Sequence, residues 1–180
     1  YDSGTTNLPA NQIRSLATDT GGNLWIGTFT GGATVYNGVN WLTYNTGNST
    51  LPDNHIRCIG FDTTGAVWLG SSGGVSWQSD EGWVTYNMFN SPLTSNNVTH
   101  IYTDSSNVKW IGTINGGMVK KNGNNWTVYN TQNSGMQDNT VLDIEHDRLG
   151  NLWFTTPAHG IGRYNGSNWF YRLQSNSAIP

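Results

Sequence analysis

Residues 62–70 read Asp-Thr-Thr-Gly-Ala-Val-Trp-Leu-Gly, and the same pattern recurs in three other parts of the chain. The tryptophan of this pattern returns at intervals of 43, 42 and 43 residues, as Trp25, Trp68, Trp110 and Trp153. A second tryptophan series, spaced by 42, 43 and 43 residues, consists of Trp41, Trp83, Trp126 and Trp169. A period of this length is typical of proteins built from stacked structural repeats. The chain is therefore predicted to contain four copies of one unit.

Each unit alternates short β-like runs with turn signals, and no run shows a helical period. In the third unit the β-like runs are 98–103, 108–113, 118–121 and 125–129. The last turn of three units carries Asn-Gly, as at Asn122-Gly123, which is a strong signal for a two-residue hairpin loop. We therefore expect four antiparallel strands in each unit.

Four-stranded units of this period are typical of a β-propeller, in which sheets called blades stack face to face around a channel. A single blade with large aromatic residues cannot bury both of its faces, so the repeated tryptophans are expected to pack between blades. The chain is predicted to be all-β, a single β-propeller domain over residues 1–180 with four four-stranded antiparallel blades. The repeats of 42–43 residues are expected at about 8–50, 51–92, 93–135 and 136–178.

The two ends of the chain fall at one phase of the repeat, with Leu8-Pro9 near the start and Ile179-Pro180 at the end. No strand is therefore expected to be shared between the termini. Three arrangements follow: a closed four-bladed ring, two chains in an eight-bladed ring, or an open assembly of subunits. The closed ring is favoured, because an uncovered blade face would expose tryptophan.

Composition excludes several classes of partner. The formal net charge is -3 with 8 Lys plus Arg, which gives no cationic field for nucleic acid or anionic lipid. No segment approaches the roughly 20 apolar residues of a membrane span. Charged residues make up only 11% of the chain, and 23 of its residues are glycine. This composition favours a secreted or periplasmic, turn-rich β protein. The single cysteine, Cys58, lies in an apolar run and is expected in the core.

The second unit, residues 51–70 completed by 83–87, resembles the two-component regulator propeller repeat. The resemblance rests on a core of the form Asp-x-x-Gly-x-Leu-Trp-Ile-Gly-Thr and extends over nearly the whole chain. It implies blades of the kind found in periplasmic sensor regions of hybrid two-component systems. In that family the sensor regions carry many more blades, followed by a transmembrane helix and a kinase.

A more distant resemblance is to the streptogramin lyase type of propeller, through Gly150-Asn-Leu-Trp-Phe-Thr155. Those enzymes use a His and Glu group with a magnesium ion on one face of a larger ring. The residues available here are scattered over three blades without repeated acid–base pairing; they are His55, His100, Glu145, His146 and His159. We therefore predict no catalytic residues, no metal site and no cofactor, and expect that the protein is not an enzyme.

Ligands of such propellers are expected on the face made by the loops before the first strand and between the second and third strands. Positions that vary between units on this face are the candidate binding residues: Gln12, Arg14, Phe29, His55, Arg57, Asn97, Thr99, Asn115 and His159. Together they predict a polar, weakly cationic mouth for neutral or mildly anionic polyhydroxylated ligands. The alternative is that Arg14 and Arg57 hydrogen-bond loop carbonyls and serve the fold.

One further pair stands at a shared phase of the innermost strands, His100 and Asp143. Such a pair can bind an ion, do acid–base work or form a structural hydrogen bond. The overall prediction is a secreted or periplasmic, non-enzymatic module that recognises an extracellular ligand such as an oligosaccharide. The alternative is an extracellular subunit that self-associates into a filament or tube, because its β surface is rich in neutral hydrogen-bonding groups and poor in repelling charges.

Overall fold

The computed structural model describes residues 1–172, which form four four-stranded antiparallel sheets with no helix. The strands of each sheet follow one another in chain order. The first blade contains β1 (Ile13–Thr18), β2 (Leu24–Thr28), β3 (Ala33–Tyr36) and β4 (Trp41–Tyr44). The second blade contains β5 (Ile56–Phe61), β6 (Val67–Ser71), β7 (Val75–Ser79) and β8 (Gly82–Tyr86).

The third and fourth blades repeat this order. The third blade contains β9 (Val98–Thr103), β10 (Lys109–Thr113), β11 (Met118–Asn122) and β12 (Asn125–Tyr129). The fourth contains β13 (Asp143–His146), β14 (Leu152–Thr156), β15 (Gly160–Tyr164) and β16 (Trp169–Arg172). The predicted all-β class and the four four-stranded blades are therefore confirmed. Within the described residues no helix is long and apolar enough to cross a membrane.

The blades are joined by three hydrophobic cores, each shared by two consecutive sheets. Between the first and second blades, for example, Trp25 and Ala33 pack with Leu51, Ile56 and Leu69. As predicted, tryptophans of the first series lie in these cores, since Trp25, Trp68 and Trp110 are all buried. Each such ring buries roughly 200 Å² of surface, so these contacts are the main apolar contribution to the packing of one blade on the next.

The repeated aspartates hold the first turn of each blade. In the second blade, Asp62 Oδ1 accepts hydrogen bonds from the backbone N–H groups of Thr64 and Ala66, at 2.9 and 3.1 Å. The indole N–H groups of Trp25, Trp68 and Trp153 donate to the aspartates of their own blades at 3.0, 3.3 and 2.8 Å. Aspartate thus has this double role in the first, second and fourth blades, whereas the Trp110 indole N–H of the third blade has no hydrogen-bond partner among the described residues.

The expected closure of the four blades into a ring is not seen in residues 1–172. No hydrophobic core of these residues joins the fourth sheet to the first. Leu16 of the first blade is 61% exposed, whereas Ile101 and Ile144, at the same phase of later blades, are 4% and 1% exposed. Within these residues, therefore, the outer faces of the first and fourth blades share no hydrophobic core. Ile179-Pro180 and the end of the predicted fourth repeat lie outside the described residues.

Candidate functional site

The candidate site begins with a β-bulge on the innermost strand of three blades. Arg14 is skipped in the pairing of β1 with β2, and Arg57 is skipped in the pairing of β5 with β6. Thr99 is skipped in the same way between β9 and β10. A bulge leaves one residue without a partner in the ladder and turns its side chain away from the sheet surface. Three equivalent side chains are therefore available at the mouth of the central channel.

The two predicted sets of loops form one face around this mouth. The Phe29 N–H donates to the Gln12 carbonyl at 2.9 Å in the first blade. The Ile114 N–H donates to the Asn97 carbonyl at 2.9 Å in the third blade. The loop between the second and third strands is thus tied to the segment that leads into the first strand.

A groove of about 290 Å³ crosses the mouth and is lined by Arg14, His55, Arg57, Thr99 and Leu142. These residues come from all four blades, and Leu142 occupies the bulge phase just before β13. The predicted residues Arg14, His55, Arg57 and Thr99 are therefore brought together. We call this feature the mouth groove.

The cationic side chains of the mouth groove are held in place by their neighbours. The Arg14 guanidinium lies 4.9 Å from the centroid of the Phe29 ring, and that ring meets the His55 ring edge-on at 4.3 Å. Arg57 Nε and Nη2 lie 3.4 and 3.3 Å from Ser72 Oγ. The same hydroxyl is 3.2 Å from His55 Nδ1. These five side chains, of which Arg14, His55 and Arg57 line the groove, therefore support one another.

The mouth groove carries unneutralised positive charge. Ion pairs in the described part of the chain join His100 to Asp143, Lys109 to Asp62 and His159 to Asp138, so neither Arg14 nor Arg57 has a carboxylate partner there. Burial lowers the pKa of His55, and the nearby guanidiniums of Arg57 and Arg14 lower it further against the opposing effect of Asp53. His55 is thus neutral at pH 7, and the two guanidiniums supply the charge of the groove.

The other half of the groove is less polar. The Thr99 hydroxyl donates to the Val141 carbonyl, which links the third blade to the fourth. Leu142 is 46% exposed. Its backbone N–H donates to the Thr155 carbonyl at 2.9 Å. The groove therefore runs from a cationic side to a side with one apolar group.

Five predicted residues do not line the groove: Phe29, which packs against Arg14, and Gln12, Asn97, Asn115 and His159. Gln12 and Asn97 contribute the backbone carbonyls described above. Asn115 has a positive φ of 62°, and its N–H donates to Thr140 Oγ1 at 3.1 Å. His159 Nδ1 is 3.7 Å from Asp138 Oδ2, which is an ion-pair distance but too long for a hydrogen bond.

Two residues of the site, Leu142 and Ser72, were not predicted as binding residues. Leu142 shares the repeat phase of Arg14, and Ser72 shares that of Phe29, so the spacing held the signal for both. The prediction favoured polar and aromatic side chains over an exposed leucine. Ser72 was not predicted, because its contacts with His55 and Arg57 depend on the fold and leave no pattern in the sequence.

The alternative role of Arg14 and Arg57 receives no support. Among residues 1–172 neither guanidinium donates a hydrogen bond to a loop carbonyl, and the one partner of Arg57 is the Ser72 hydroxyl.

The second predicted pair directly follows two groove residues in the chain, since His100 follows Thr99 and Asp143 follows Leu142. His100 Nδ1 is 2.8 Å from Asp143 Oδ1, and this contact joins the third blade to the fourth. Burial lowers the pKa of His100, although Asp143 and Glu145 act in the opposite direction. No group of three or more His, Cys, Asp or Glu residues suited to a metal ion occurs in the described chain. The pair thus links β9 of the third blade to β13 of the fourth.

Comparison with known proteins places the repeat and the fold. A sequence model described as the two component regulator propeller matches residues 7–30. No curated protein sequence matches the chain.

Solved structures of two kinds share the fold. The extracellular domain of a hybrid two component system from B. thetaiotaomicron is 25% identical with a TM-score of 0.80, over 94% of this chain and 24% of that one. The extracellular domain of a one component system from the same organism is 22% identical with a TM-score of 0.77, over 92% of this chain and 25% of that one. A streptogramin B lyase is 18% identical with a TM-score of 0.74, over 97% of this chain and 59% of that one.

The chain thus spans about a quarter of the length of these extracellular domains and somewhat more than half of the lyase. Its four blades therefore match part of a longer structure in each case. The resemblance stated from the sequence is confirmed: residues 7–30 match the two component regulator propeller model, and the fold is similar to those of the two extracellular domains and the streptogramin B lyase.

Proposed function

We propose that this chain is part of an extracellular or periplasmic sensor-type propeller and that its mouth groove binds a polyhydroxylated ligand such as an oligosaccharide. The observation that carries the proposal is the convergence of Arg14, His55, Arg57 and Thr99 from three blades on one groove. Similarity to the extracellular domains of two sensor systems supports the location and the role.

Binding, rather than catalysis, fits the groups present. Ser72 Oγ and His55 Nδ1 are within hydrogen-bond distance, as in a nucleophile and its base. Asp53, however, accepts a hydrogen bond from the His55 backbone N–H at 2.8 Å and does not orient the imidazole ring. Ser72 is also contacted by Arg57, which opposes the transfer of positive charge to His55.

The test is a binding screen on the whole chain. Neutral and charged oligosaccharides are added to the purified protein, and binding is measured by calorimetry and by the shift in melting temperature. A ligand that binds should lose most of its affinity in the double variant Arg14→Ala with Arg57→Ala. Arg148→Ala is the matched control, because this exposed arginine lies in the turn between β13 and β14, away from the groove. No binding across the screen, or equal binding by all variants, would contradict the proposal.

A second function is favoured by a separate observation, the outer faces of the first and fourth blades, which no other blade of residues 1–172 covers. Ile13 and Leu16 are 38% and 61% exposed, although residues at their phases are buried in later blades. On the fourth blade, a cavity of about 340 Å³ is lined partly by Trp153, Ile161 and Phe170. Such faces suit end-to-end association of copies into a filament or tube. Light scattering tests this directly, since a constant monomer mass over a wide concentration range would exclude it.

A further inference from the structure

We infer that the ligand of the mouth groove carries an anionic group, a carboxylate or a sulfate on a saccharide, and that Arg14 and Arg57 bind this group. The inference rests on the proposed function and narrows it to a class of ligand. Three independent features of the groove carry it: its charge, its excess of hydrogen-bond donors, and the fixed positions of its arginines.

The charge of the groove is opposite to that of the chain. The formal net charge is -3 and Lys plus Arg total 8, yet two of these eight cations share one groove. Lys109, in contrast, is paired with Asp62 at 3.2 Å. Two like charges in one groove repel each other, and an anion placed against both removes that repulsion. A neutral ligand leaves it in place.

The side chains of the groove offer mainly donors. A guanidinium has five N–H donors and no acceptor, so Arg14 and Arg57 can only donate. The groove is lined by no carboxylate and no side-chain amide that would accept from sugar hydroxyls. The acceptors of the lining are fewer: the Thr99 hydroxyl, whose proton is donated to the Val141 carbonyl, and the unprotonated nitrogen of the neutral His55 ring. A ligand group that only accepts hydrogen bonds therefore matches this set best, and carboxylates and sulfates are such groups.

Both arginines are held before any ligand arrives. Phe29 lies under the Arg14 guanidinium, and Ser72 contacts Nε and Nη2 of Arg57 while Nη1 has no hydrogen-bond partner in the described residues. Fixed guanidiniums lose less conformational entropy when they bind an oxyanion, and their planar fork matches its geometry. The volume of about 290 Å³ lies at the lower end of ligand sites, which suits the charged end of a chain rather than its whole length.

The experiment uses the complete 180-residue chain and isothermal calorimetry with three probes. The probes are a trimer of galacturonic acid, a sulfated disaccharide and the neutral trimer cellotriose. The first two arms distinguish a carboxylate from a sulfate. We expect one or both anionic probes to bind, and to bind roughly 10- to 100-fold more weakly in Arg14→Ala and in Arg57→Ala. Binding should also weaken as sodium chloride is raised.

Two further variants make the result interpretable. Arg57→Lys keeps the positive charge but loses the planar set of N–H donors of the guanidinium. The affinity of this variant for the anionic probe should therefore fall between those of the original chain and Arg57→Ala. Arg148→Ala should bind as the original chain does, and melting curves establish that every variant is folded. Cellotriose that binds as tightly as the galacturonate trimer, with both affinities lowered by the arginine variants, overturns the inference but leaves the proposed function standing. Anion binding that is unchanged in the variants also overturns it, and binding of no saccharide overturns both.

Discussion

Asp62 and Lys109 form the most buried ion pair between two blades of residues 1–172. Their side chains are 8% and 7% exposed, and Lys109 Nζ lies 3.2 Å from Asp62 Oδ2. Burial opposes the ionisation of Asp62, but hydrogen bonds from Thr64 and the Lys109 ammonium outweigh it and lower its pKa to about 2. Because this pKa is below the ordinary 3.8, the contribution of Asp62 to stability is present above pH 3.8 and is lost as the pH falls towards 2.

Removing the cation should therefore be costly. Lys109→Met leaves a buried carboxylate without a countercharge, and we expect the free energy of unfolding to fall by about 3–5 kcal/mol at pH 7. Urea unfolding measures the loss. Lys120→Met is the matched control, because Lys120 lies over the Trp110 ring at 5.1 Å and its loss should cost about 1 kcal/mol or less. Equal losses in the two variants would show that the buried pair has no special weight.

His55 makes ligand binding depend on pH. Its pKa in the free protein lies below 6.5, because of burial and the neighbouring Arg57 and Arg14, with Asp53 acting in the opposite direction. An anion in the groove favours the charged imidazole and raises this pKa. The affinity for an anionic saccharide should therefore increase as the pH falls below about 6.5, with uptake of at most one proton. Calorimetry at several pH values tests this, and His55→Gln should remove the dependence. An affinity that is constant with pH in the original chain would contradict it.

At the level of the strand, the glycine of the second strand sets how closely two blades approach. Gly70 is the clearest case, since a Cβ there would overlap Cys58 Sγ and lie 2.6 Å from Val98 Cγ1 of the next blade. Gly70→Ala is expected to destabilise the protein by about 1–3 kcal/mol through overpacking. Thr155 holds the same position in the fourth blade, where residues 1–172 provide no following blade. Thr155→Ala should change stability by less than about 0.5 kcal/mol. Unfolding curves that move equally for both would refute the argument.

Strands and turns were predictable because their signals are local. The β-like run at 98–103 became β9 with the same bounds, and the Asn122-Gly123 turn joined β11 to β12 as a hairpin. The bulges at Arg14 and Arg57 were not predicted, because a bulge is a property of two paired strands and leaves no pattern in one of them. The contact of Phe29 with His55 likewise depends on how two blades face each other. The sequence therefore indicated the residues of the site better than their contacts.

For the whole molecule, closure was the feature that the sequence could not determine. Whether the last blade meets the first depends on a rotation that is repeated at each interface, so a small difference per blade accumulates over the chain. That rotation follows from side-chain packing between sheets, as in the core of Trp25, Leu51 and Leu69. Each of the three cores of residues 1–172 joins consecutive blades and none joins the fourth sheet to the first, so the outer faces of the first and fourth blades remain uncovered within these residues.

Because the first blade is uncovered within residues 1–172, substitutions at the same repeat phase should lower the free energy of unfolding by different amounts in different blades. Leu16 is 61% exposed, and Leu16→Gln should change the free energy of unfolding by less than about 0.5 kcal/mol. Ile101 has the same repeat phase but is 4% exposed in the core between the second and third blades. Ile101→Gln removes that apolar contact and buries an amide, so we expect a loss of about 3–5 kcal/mol. Both are measured by urea unfolding at low protein concentration, with light scattering to establish that the chain is monomeric. A loss at Leu16 as large as that at Ile101 would mean that the first blade is covered in solution and that the ring closes.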